Sequence, residues 1–93
     1  MKDGQSFDNL RRLLDDEHQW PGYYEFRFIA PSETIDQVID ELNRVKGERE
    51  EISLKDSRTG KYVSVSLKKH ISQTDEVIQI YQRIVKIKGV ISL

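Results

Sequence analysis

The chain has 93 residues, with 37% hydrophobic and 33% charged side chains and a net charge of −1. That length makes one domain with one core, and a charge so near zero gives no overall field to draw the protein onto nucleic acid or an anionic membrane. There is no cysteine, which removes disulfides, thiol catalysis and thiolate metal sites, and no apolar run approaches the roughly 20 residues needed to span a bilayer. The start of the chain does not lead into a signal-peptide stretch. The expected compartment is the cytoplasm, with no membrane association.

Residues 1–6 are polar. Phe7, Leu10, Leu13 and Leu14 recur at helical spacing, which predicts one or two helical turns over 8–15, with Asp8 as a possible cap. Asp15 to His18 read as a polar connector, and Trp20-Pro21-Gly22 as a turn. Residues 1–19 thus form an extension with a short helix, and 20–93 the domain proper.

The segment Tyr23 to Ala30 is the organising strand. Tyr24, Phe26, Phe28 and Ala30 share one face, and Tyr23, Glu25, Arg27 and Ile29 the other. Pro31 to Thr34 stop it. A helix follows over 33–46, with Ile35, Val38, Ile39, Leu42 and Val45 on one stripe. Thr34 and Gln37 stand at capping-box spacing, and Gly47 is expected in the left-handed position that ends the helix. Arg49 to Asp56 reads as an edge strand, with Ile52 and Leu54 alternating against charged neighbours. Ser57-Arg58-Thr59-Gly60 is a hairpin loop. Lys61 to Lys69 alternates again, Val63, Val65 and Leu67 against Tyr62, Ser64, Ser66 and Lys68. A second cap at Ser72 to Asp75 opens a helix carrying Val77, Ile78, Tyr81, Ile84 and Val85. Gly89 is expected to end it, and 90–93 form a short last strand.

The order strand–helix–strand–strand–helix–strand predicts an α+β fold of the ferredoxin-like βαββαβ kind. Right-handed crossovers put both helices on one face of an antiparallel sheet of order 4-1-3-2. The Leu10-Arg11-Arg12-Leu13-Leu14 run, Trp20-Pro21 leading into Tyr24 to Ile29, and Ile35 to Ile39 then carry a resemblance. With them stand Ser57-Arg58-Thr59-Gly60-Lys61-Tyr62-Val63-Ser64-Val65-Ser66 and Glu76 to Tyr81. The chain resembles the YbeD-like family of small bacterial proteins of unknown function. The resemblance implies the same fold, similar to ACT regulatory domains, and supplies no catalytic residues. The charged connection Val45 to Glu50, which lacks proline, departs from the family pattern.

The chemistry is sparse. There are two histidines, and neither a serine elbow nor a Gly-rich phosphate loop is present. His18 beside three acids is read as a solvated connector rather than a metal site, and His70 as a surface residue. No cofactor and no catalytic activity are expected. The helix-free sheet face, with Tyr23, Arg27, Tyr62, Ser64 and Lys68, and the hairpin residues Ser57, Arg58 and Gly60 form the candidate binding surface. The reading is an interaction or regulatory module with an unidentified protein partner. A small-ligand sensor and an RNA-binding module are the alternatives; nucleic acid is the weaker, because Glu25 sits mid-sheet and the aromatic platform is partial. The chain alone leaves monomer and homodimer open, and leaves open whether Phe7, Leu10 and Trp20 cover that sheet face.

Overall fold

The computed structural model describes residues 7–93. Three helices and four strands follow in the order α1 (Asp8–Glu17), β1 (Gly22–Pro31), α2 (Ile35–Val45), β2 (Ile52–Asp56), β3 (Tyr62–Ile71), α3 (Thr74–Ile84) and β4 (Ile91–Ser92). The strands form one antiparallel sheet of order β2-β3-β1-β4, the expected order read from the other side. β1 and β3 pair along their full length, from Gly22 opposite Ile71 to Pro31 opposite Tyr62.

The period-two pattern of β1 and β3 decides which face is buried. Phe26, Phe28, Ala30, Val63, Val65, Leu67 and Ile71 are closed off from solvent. Opposite them lie Val38 and Leu42 from α2, and Val77, Ile78, Tyr81 and Ile84 from α3. Phe28 and Tyr81 meet edge to face with centroids 5.6 Å apart. At about 1.5–3 kcal/mol for each large side chain taken out of water, this layer is the main favourable contribution to folding. The Tyr81 hydroxyl lies 3.0 Å from that of Tyr24. Burial, with Tyr24 beside it, pushes the Tyr81 phenol well above its ordinary value.

Several local expectations are overturned. α1 extends through Asp15, Asp16 and Glu17, so these are helical rather than connector residues. Its N-cap is Phe7, and Asp8 is the first residue inside the helix. α2 begins at Ile35 without a capping box: the Thr34 hydroxyl instead donates to the Lys88 carbonyl at 3.1 Å, fastening the helix start to the loop before β4. α2 ends at Val45, Lys46 after it is extended, and Gly47 has no positive φ. Its N–H donates to Glu50 at 2.6 Å, so a side-chain turn does the work expected of a left-handed glycine. α3 does carry a capping box, between Gln73 and Glu76. It stops at Ile84, and Gly89, with φ +80°, lies five residues further on. There a Cβ would stand 2.6 Å from the Pro31 ring, so only glycine lets the loop pass the end of β1.

Candidate interaction surface

Two surfaces gather polar groups. The first joins α1 to α3. The Trp20 indole donates to the Thr74 hydroxyl at 2.8 Å, and that hydroxyl donates to the Asp15 carboxylate at 2.6 Å. Arg11 pairs with Asp75 alongside. A hollow of about 250 Å³ is lined by Arg11, Asp15, Trp20, Gln73, Thr74 and Asp75. Thr74 is buried, and each member of the chain has a partner. The arrangement fixes α1 in place, with Leu14 inserted in the core and Phe7, Leu10 and Trp20 packed against it. His18, exposed in the connection after α1, stacks flat on Trp20 at 5.0 Å and so lies against this junction. The extension therefore packs on the helix side, and the idea that Phe7, Leu10 and Trp20 cover the opposite sheet face is wrong.

The second surface is that opposite face. Strand register puts Tyr23 beside His70, Glu25 beside Lys68, Arg27 beside Ser66 and Ile29 beside Ser64. β2 adds Ser53 next to Ser66 and Lys55 next to Ser64. β4 adds Ile91 next to Ile29. Residues directly opposite one another across antiparallel strands share a face, so these side chains form one surface. Tyr23, Tyr62, Ile91 and Leu93 are among the large apolar side chains most exposed to solvent. At the centre, small residues leave a depression of about 230 Å³ bounded by Arg27, Lys55, Ser64, Ser66 and Leu93.

The sequence-predicted residues divide into three groups. Arg27 and Ser64 meet in the central depression. Tyr23 and Lys68 meet at one end, the ammonium 6.0 Å from the ring centre. Tyr62 lies at the other end, beside the hairpin. Arg27 is held 3.4 Å from Glu25, but both are well exposed, so this pair is weak. Ser57 and Gly60 prove to be turn residues. The Ser57 hydroxyl accepts the Tyr62 N–H at 3.2 Å, and its own N–H donates to the Tyr62 carbonyl at 2.9 Å. Gly60 takes φ +74°, and its carbonyl accepts from Ser32. Arg58 stands exposed at the tip. Sequence reasoning missed Lys55 and Leu93. Lys55 is out of phase with Ile52 and Leu54, which was the available signal, but only the β2–β3 register sets it against Ser64.

Near the far end of β3, Glu50 closes the α2–β2 loop. It accepts from Gly47 and, at 2.8 Å, from the backbone N–H of His70, with the Lys69 ammonium 3.6 Å away. Desolvation opposes ionisation, but the two backbone donors and Lys69 outweigh it and hold the carboxyl below its ordinary value. Among the described residues no cluster of three His, Asp or Glu groups with metal-holding geometry occurs, and no helix is long and apolar enough to cross a membrane.

Fold and surface together define a small α+β domain, with helices covering one face of a four-stranded antiparallel sheet and the other face open. The chain belongs to the family described as protein of unknown function (DUF493), whose model matches residues 15–93. This agrees with the resemblance to the YbeD-like family. The solution structure of protein HP0495 from H. pylori is similar, with a TM-score of 0.60 at 18% identity. The match covers 86% of this chain and 92% of that one, and at such identity it speaks to the fold alone. No curated protein matches.

Proposed function

We propose that this chain is a non-catalytic interaction module of ferredoxin-like βαββαβ type, acting in the cytoplasm on a protein partner through the open sheet face. The observation that carries the reading is the exposure of Tyr23, Tyr62, Ile91 and Leu93 on that face. They lie around a polar centre, while the helices cover the opposite face of the two central strands. Exposed aromatic and aliphatic groups around a polar centre are the raw material of a protein-docking surface.

Two alternatives fit less well. The depression of about 230 Å³ is smaller than the roughly 300–1,000 Å³ typical of small-ligand pockets. An RNA platform needs aromatic rings close enough to stack neighbouring bases. Tyr62 and Tyr23 lie at opposite ends of the β1–β3 ladder, about 26 Å apart along the strands at ~3.3 Å per residue.

The test is affinity capture with the wild-type protein and with Tyr62→Ala and Arg27→Ala. Both variants should keep the wild-type unfolding midpoint and lose the same captured protein. Retention of that protein by both folded variants would show that it docks elsewhere.

A further inference from the structure

We infer that the open face receives an extended acidic segment of its partner, whose carboxylates sit against Lys55, Arg27 and Lys68. This rests on the reading of that face as a protein-docking surface and names the chemistry it accepts.

Charge is the first argument. The strand residues of this face carry three cations, Arg27, Lys55 and Lys68, and one carboxylate, Glu25, while the whole chain carries −1. The face is therefore positive on a molecule whose remaining surface is negative, which orients an approaching acidic partner toward it. Lys55 makes no ion pair with any other described residue, and Arg27 has only its exposed contact with Glu25.

Spacing is the second. Lys55 lies level with Ser64, Arg27 level with Ser66, and Lys68 follows two residues further along β3. The positive charges thus stand on three neighbouring strands, Lys55 on β2, Lys68 on β3 and Arg27 on β1, with Arg27 at backbone separations of about 8–12 Å from the two lysines once strand spacing and rise are combined. Their long side chains border β3 from both sides and along it, so the carboxylates of an extended segment lying over β3 come within reach of all three. The serines between them are small and keep the centre open.

The third is what flanks the cations. Ile29 and Ile91 pair on the β4 side, with Leu93 next to them. Aliphatic surface beside the charges suits the apolar side chains of a peptide. A nucleic acid has no use for it.

The probe is an eight-residue peptide with Glu at alternate positions and Val or Ser between, titrated into the ¹⁵N-labelled full chain. The expected result is shifts confined to the amides around Arg27, Lys55, Ser64, Ser66 and Lys68. Affinity should fall by roughly tenfold or more in Lys55→Glu, and should fall with added salt. The same peptide with Lys for Glu should leave the spectrum unchanged. Absence of shifts on this face, equal affinity for Lys55→Glu, or stronger binding of single-stranded oligothymidylate than of the acidic peptide would each overturn the inference. Should the peptide fail while Tyr62→Ala still loses its captured partner, the docking face stands and the acidic specificity falls.

Discussion

Replacing Thr74 by valine tests how α1 is held. The change keeps the shape and a β-branched side chain at the first position of α3, where helix preference differs little between the two. It removes only the hydroxyl that accepts from Trp20 at 2.8 Å and donates to Asp15 at 2.6 Å. The Trp20 indole N–H is then left half-buried without an acceptor, at a cost of about 1–3 kcal/mol. Asp15 is exposed and regains water, so it adds little. The expected loss is about 2 kcal/mol. For a domain this small each kcal/mol moves the melting temperature by about 4–8 °C, so Tm should drop by roughly 8–16 °C. Trp20 is the single tryptophan, so its fluorescence reports the junction directly during urea unfolding. Thr74→Ser, which keeps the hydroxyl, should stay near wild type. In the double-mutant cycle with Trp20→Phe, most of the loss should appear as coupling. A Thr74→Val protein within about 0.5 kcal/mol of wild type would refute the account.

Gly89→Ala should destabilise more than Gly60→Ala. Both positions have positive φ, costing about 1–2 kcal/mol for a side chain, but only at Gly89 does the new Cβ meet the Pro31 ring; equal urea midpoints would remove the steric argument. Glu50 is held below its ordinary value of 4.5, so its contribution is complete above that pH and is lost as pH falls through the folded-state value. Glu50→Gln should therefore be less stable than wild type at neutral pH, with the gap closing in acid; a gap that is constant with pH would contradict the sign. Tyr62→Ala should change stability by less than about 0.5 kcal/mol, because its ring stands in solvent; a larger loss by thermal melting would make Tyr62 a structural residue.

The central strands were legible because their alternation is strict: Phe26, Phe28, Val63, Val65 and Leu67 are buried where period two puts them. The α2 stripe was legible for the same reason at period 3.6. What failed was information that lives between elements. Leu54 reads as a core residue of an alternating strand, yet it stays exposed because β2 is the edge and its helix-side flank is uncovered. Ile80 falls off the predicted stripe of α3, yet it is buried, because α1 packs against that helix. The end of α2 was misread because Glu50, three residues beyond Gly47, supplies the turn contact that glycine was expected to provide. On the candidate surface the residue types were readable from alternation, but their neighbours were not. Tyr23 and Tyr62 look like one platform in the sequence, and only register separates them.

β1 is a central strand by sheet order, but β4 pairs with it only at Phe28 and Ile29. The Arg27 carbonyl accepts from Leu93, so the Arg27 backbone points toward β4. By period two the backbones of Glu25 and Tyr23 point the same way, and no described strand lies there to meet them. The middle of the sheet thus carries a local border. Amide hydrogen exchange along β1 should alternate, with Tyr24 and Phe26 slow in the ladder with β3 and Tyr23 and Glu25 fast. The most apolar strand of the protein is thereby also the one whose first half opens to solvent exchange residue by residue.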